Sequence, residues 1–166
     1  MDDRRVRSPG AAFLIAQLGG HSARRWIERL AKAGLEPREV MLFRHVAVNQ
    51  GRSQREVADA IGLPQSRIVA LVDGLEAKGW IRRQPSASDR RTNALHLTRK
   101  GQAALTKIMA VSAEHEADLT RGLEAGELDQ LIKLLGKVAG VQDLIEGVHP
   151  GFGDANADQT QQTGDR

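Results

Sequence analysis

The chain has 166 residues, no cysteine, and 24 lysines and arginines against 21 aspartates and glutamates. That is the size of one domain with a net charge of only +3, too small a surplus to argue for nucleic acid by itself. Without cysteine there are no disulfides, thiolate metal centres or thiol redox sensing.

Apolar periodicity is helical along most of the chain. Arg4, Arg5 and Arg7 precede an apolar stretch over 11–18, but Gly19, Gly20 and His21 end it without a cleavage-site pattern. No later stretch approaches a membrane span, so a cytoplasmic protein with no membrane partner is expected. Residues 1–10 are read as a disordered N-terminus. Ile15, Leu18, Ser22, Trp26 and Leu30 recur at three- and four-residue steps and predict a first helix over about 11–34. Pro37 suits the first turn of a second helix, with Val40, Phe43, Val46 and Ala47 inward and Gly51 as its stop.

Ser53 and Glu56 form an S-x-x-E capping box, which satisfies two backbone N–H groups at a helix start and is worth about 1 kcal/mol. A short third helix therefore begins there, buries Val57, Ala58 and Ile61, and ends at Gly62. Pro64 opens a fourth, with Ile68, Leu71, Val72 and Leu75 on its buried stripe and Gly79 as its stop. Two short helices joined by a tight glycine turn make a helix-turn-helix.

Beyond Gly79 the period changes to two. Residues 80–84 and 93–97 predict two strands, with Leu95 and Leu97 on one face and a polar tip over 85–92. Thr98 is placed to cap a long helix carrying Leu105, Ile108, Met109 and Leu119. A last helix carries Leu128, Leu131, Ile132, Leu135, Val138 and Ile145. Residues 147–166 are almost devoid of apolar side chains and read as a disordered tail. The class is mainly α (α+β), a winged helix-turn-helix over about 37–100 within one domain over 11–146.

The charge excess is local: ten cations stand against five acids over 52–100. In a helix-turn-helix the second helix enters the major groove, and Gln65, Ser66, Arg67, Val69 and Ala70 fall off its buried stripe. Arginine binds guanine bidentately, glutamine pairs with adenine, and alanine or valine meets a thymine methyl. Arg90 and Arg91 at the hairpin tip have the reach to enter a minor groove, with Asp89 orienting a neighbouring arginine. Ser53, Gln54, Arg55, Arg82, Arg83 and Arg99 suit phosphate contacts. Any one of these groups is ordinary on a solvated surface. Their order along one uninterrupted stretch is what points to double-stranded DNA.

The same stretch resembles the MarR (multiple antibiotic resistance regulator) family. The resemblance is carried by Leu75-Glu76-Ala77-Lys78-Gly79-Trp80-Ile81, by Asp89-Arg90-Arg91 and by Leu97-Thr98-Arg99-Lys100-Gly101. It implies a winged-helix homodimer, often a repressor, with first and last helices (about 11–34 and 99–146) intertwined, and Asp89 and Arg91 as a wing-tip pair. It also implies a pocket for a small aromatic or anionic effector lined from the first, second and fifth helices, here Arg25, Trp26, Met41 and His45. The sequence departs from the family pattern at Ala94, where a leucine is usual, and at Pro64, where a polar residue usually opens the recognition helix.

A self-partner is also expected from the residues alone. The first and last helices carry apolar stripes outside the compact helix-turn-helix and hairpin, and a symmetric dimer covers both. The histidines are scattered. Glu114-His115-Glu116, the one cluster, lacks the spacing of a helical metal site and reads as a solvated face, so no metal and no cofactor is expected. With no nucleotide-binding glycine loop, no paired catalytic carboxylates and no cysteine nucleophile, the chain is not read as an enzyme. The competing reading is a winged-helix architectural or protein-interaction module without strong base readout.

Overall fold

In the computed structural model of this protein, residues 9–86, 92–142 and 144 are described. Their elements run α1 (Ala11–Lys32), α2 (Pro37–Val48), α3 (Gln54–Ile61), α4 (Gln65–Ala77), β1 (Ile81–Pro85), β2 (Asn93–Leu97), α5 (Arg99–Leu119) and α6 (Ala125–Ala139). The two strands pair antiparallel, from Ile81 opposite Leu97 to Pro85 opposite Asn93. The described part is therefore mainly α with a small hairpin, a winged helix-turn-helix.

Helix ends follow local chemistry. Ser53 Oγ accepts from the Glu56 amide at 3.3 Å while the Glu56 carboxylate accepts from the Ser53 amide at 2.8 Å, closing the capping box. Gly62 and Gly79 take positive φ (73° and 70°), a conformation that costs glycine nothing. At Gly79 the chain makes a Schellman turn: its amide donates to the Glu76 carbonyl (2.8 Å) and the Trp80 amide to the Leu75 carbonyl (3.0 Å). Trp80 is thus committed to the helix end. The first strand runs over 81–85 rather than 80–84, and Pro85, expected in the tip, is paired.

One apolar core joins α2, α3, α4, the hairpin and the adjoining parts of α1 and α5. Phe43, Leu30, Leu42, Ile68, Leu75, Leu95 and Ile108 are wholly buried in it. Leu42 was not expected inside. It is buried because α2 is packed from several sides, by α4, β2 and α5, so more than one face of the helix is covered. Leu71, expected inside, is half-buried.

The hairpin is anchored by backbone. Ala94 is buried and bridges Ser53, the Gly51 amide donates to the Leu95 carbonyl, and the Leu95 amide donates to the Arg52 carbonyl, both at 2.9 Å. At the other end of the wing the Thr98 hydroxyl donates to the Gly79 carbonyl (2.6 Å) and accepts from the Gly101 amide (2.9 Å), capping α5. In contrast, α6 buries none of its residues.

Candidate nucleic-acid interface

Helix α4 has two faces of opposite character. Ile68, Val72 and Leu75 are wholly buried, and on the far side Gln65, Ser66, Val69 and Ala70 are exposed while Arg67 is half-buried. Four of the five residues expected off the buried stripe are thus exposed, and Arg67 is not fully so. Pro64 sits at the N-cap position and offers no side-chain acceptor, and the first turn holds no acidic residue. The positive end of the helix dipole therefore meets no local carboxylate within its own first turn.

The residues expected at phosphates differ in how free they are. Arg55, Arg82 and Arg99 are exposed, Arg82 lying opposite His96 in the hairpin. The Ser53 hydroxyl is engaged in the cap of α3. Beside it, Arg52 Nη1 pairs with Glu56 Oε1 at 2.8 Å. The Ser53 amide, followed by the Arg52 and Ser53 side chains, lowers the Glu56 carboxyl to about 2.

Arg83 and Gln54 are arranged differently from that expectation. The Arg83 guanidinium pairs with the carboxylates of Asp73 and Glu76, and its Nε donates to Gln54 Oε1 at 3.0 Å. Its backbone amide donates to Glu76 Oε1 at 2.9 Å. Burial opposes the charge, but hydrogen bonds to the two carboxylates overcome it and raise the arginine pKa further. This network joins β1, α4 and α3. It was not anticipated, because nothing in the spacing of residues 54, 73, 76 and 83 marks them as partners before the hairpin folds back.

Asp89, Arg90 and Arg91 lie outside the described residues, as do the terminal segments 1–8 and 145–166, including Ile145. The Ser86 amide donates to the Thr92 carbonyl at 2.9 Å, bringing the two described ends of the hairpin together.

The four residues named for an effector are divided between two places. Arg25 lines a crevice of about 390 Å³ between α1 and the end of α5, with Leu18, His21, His115, Asp118 and Arg121. Trp26 does not line it and packs its ring on His115, 5.4 Å between centroids. Met41 and His45 are half-buried on α2, outside this crevice. Burial, followed by the charge of Arg52, lowers the His45 pKa.

His115 is not part of a solvated face: its Nε2 lies 3.0 Å from the Ser22 hydroxyl, and its ring is turned against α1. Asp118 pairs with both Arg25 (2.7 Å) and Arg29 (2.8 Å). Among the described residues no group of three histidines and carboxylates is placed to hold a metal, and no helix is long and apolar enough to cross a membrane.

Apolar side chains are uncovered on two helices. On α1 they are Phe13, Leu14, Ile15 and Leu18, and on α6 they are Leu131, Ile132, Leu134, Leu135 and Val138, all between 37% and 60% exposed. Stripes of this size are unusual on a lone soluble chain.

Comparison with known proteins places these features in context. A model described as MarR family matches residues 33–92. A transcriptional repressor, CouR, solved bound to a 23-mer DNA duplex, is 30% identical, with 78% of this chain and 92% of that chain covered and a TM-score of 0.66. The apo form of wild-type MarR from E. coli is 22% identical over 80% of this chain and 98% of that one, with a TM-score of 0.68, and shares the fold. So does a Mycobacterium tuberculosis MarR family protein in complex with p-aminosalicylic acid, 21% identical over 79% and 99%, with a TM-score of 0.62.

Proposed function

This chain belongs to the MarR family, and from that premise we propose that it is a homodimeric repressor of transcription that reads a pseudopalindromic DNA operator. The observation that carries the reading is the outward face of α4, where Gln65, Ser66, Val69 and Ala70 are exposed and Arg67 is half-buried, on the side away from the wholly buried Ile68, Val72 and Leu75. In this reading Arg67 binds guanine, Gln65 adenine, Ser66 either, and Val69 and Ala70 meet thymine methyls. Arg55, Arg82 and Arg99 hold phosphates, while the Ser53 hydroxyl and amide stay committed to the Glu56 carboxylate, and Asp89, Arg90 and Arg91 carry the wing to the minor groove. The apolar faces of α1 and α6 supply the dimer contact, within a unit over 11–146. Two copies of α4 then face half-sites one helical turn apart, about 34–36 Å.

Release by a small aromatic or anionic effector is part of the proposal. Its support is the M. tuberculosis relative with p-aminosalicylic acid and the crevice lined by Leu18, His21, Arg25, His115 and Arg121, in which Asp118 pairs with Arg25. Such an effector changes DNA affinity through a coupling of about 1–3 kcal/mol.

The test is selection of bound duplexes from a random pool, followed by titrations at several salt concentrations. The wild-type protein should enrich an inverted repeat. Arg67→Ala should flatten base preference, whereas Arg82→Ala should weaken binding to all sequences and reduce the salt slope by about one unit. Binding with a steep salt slope but no enriched sequence would refute base readout and leave an architectural module.

A further inference from the structure

We propose that Arg83 is a positioning residue that sets the wing against the recognition helix, acting on DNA through geometry rather than by touching a phosphate. This rests on the reading that the outward face of α4 meets DNA.

Arginine presents five N–H donors in a rigid planar fork, suited to gripping two acceptors at once. Here the fork pairs with Asp73 and Glu76, three residues apart and thus neighbours on one face of α4. The remaining edge, Nε, donates to Gln54, the first residue of α3. Both helices of the helix-turn-helix are tied through one side chain to β1, whose backbone amide at the same residue adds a further bond to Glu76.

Charge and placement separate this role from a phosphate contact. The first is charge: Arg83 with Asp73 and Glu76 sums to one net negative charge, which repels phosphate, and reaching DNA would require breaking two charge-assisted bonds. The second is placement. The Asp73 and Glu76 side chains remain 59% and 37% exposed on the helix that has to approach DNA. Held by Arg83, these carboxylates are neutralised in part and drawn toward β1, so the arginine also protects the approach of α4. Ile81, two residues earlier and so on the same face of β1, is buried in the core, and the Arg83 network continues that attachment toward the hairpin tip.

The two roles predict opposite signs for one experiment on the full-length protein and a duplex selected by the wild type. The double variant Asp73→Asn with Glu76→Gln removes two negative charges from the DNA-facing lobe. If Arg83 were a phosphate contact, freeing it would tighten binding and steepen the salt dependence. A positioning role predicts that binding weakens about tenfold despite the added positive charge. Arg83→Ala and Arg83→Lys should both weaken binding with the salt slope unchanged, since lysine keeps the charge but not the fork.

Tighter or unchanged binding by the double variant overturns the proposal. So does a slope shallower by about 0.9 in Arg83→Ala, the signature of one lost phosphate contact. A second readout needs no DNA: amide hydrogen exchange at Arg83 and the last turn of α4 should quicken in the double variant while the α2 core stays protected. Unchanged exchange also overturns the proposal. Failure of the wild type to select any duplex would refute the DNA reading instead, and the exchange experiment still decides what Arg83 holds.

Discussion

The glycine in the Leu-Thr-x-x-Gly exit from the wing is required by a close backbone approach, and the same substitution at two helical glycines should change stability with opposite signs. A Cβ at Gly101 would lie 2.0 Å from the Trp80 carbonyl oxygen and 2.9 Å from its carbon. An ordinary contact needs at least about 1 Å more. That carbonyl cannot yield freely, because it accepts from the Thr98 amide at 3.0 Å, the Trp80 amide is held by Leu75, and the Trp80 ring packs on Phe43 at 5.2 Å between centroids. Overpacking of this kind costs about 1–3 kcal/mol, and weakening the Thr98 bond adds about 1 kcal/mol. Alanine recovers about 1 kcal/mol of helix propensity, leaving Gly101→Ala about 2 kcal/mol less stable. At Gly74, in the interior of α4, the new Cβ would stand 3.6 Å from Glu39 Oε1, an ordinary contact. Gly74→Ala should therefore stabilise by about 0.5–1 kcal/mol. Urea unfolding of wild type and both variants at one protein concentration measures the pair. A Gly101→Ala midpoint at or above wild type would refute the reasoning, as would equal losses at both sites.

Two further outcomes follow from features of single helices. Glu56 has its folded carboxyl lowered from 4.5 to about 2, so the unfolded chain takes up the proton first. Its contribution is present above about pH 4.5 and is lost as pH falls toward 2, so the advantage of wild type over Glu56→Gln in thermal unfolding should shrink across that window. A constant difference from pH 6 to pH 2 would contradict the cap geometry. Leu135→Glu, on the uncovered face of α6, should convert a dimer into monomer in sedimentation experiments while the near-ultraviolet signature of the buried core persists. An unchanged sedimentation coefficient would place the dimer contact elsewhere.

What could be read from the sequence was whatever short-range chemistry decides. The capping box at Ser53 and Glu56, the positive-φ turns at Gly62 and Gly79 and the cap at Thr98 each depend on residues within a few positions. All were placed correctly, and they locate the two faces of α4. Trp80 has a β-forming side chain, but the Schellman turn that the preceding glycine imposes holds it at the helix end, so the strand starts one residue later than its composition indicates. The partners of Arg83 and His115 were out of reach for a different reason. Gln54 is 29 residues from Arg83 and Ser22 is 93 from His115, so only packing of the elements brings them together. Leu42 was missed because a period of 3.6 marks one face, and α2 is covered on more than one.

A two-stranded hairpin ordinarily leaves two open edges, each a template for another chain. Here each edge has partners among the described residues. The Leu95 and Leu97 amides are met by the Arg52 carbonyl and the Gln50 side chain, and across the hairpin the Arg83 amide is met by Glu76. The exposed Arg82 adds charge on the strand that carries the second edge. Several copies can therefore crowd together with their hairpins adjacent, as on neighbouring sites of a duplex, without joining strand to strand. The wing is thereby guarded against the aggregation that an exposed ribbon invites.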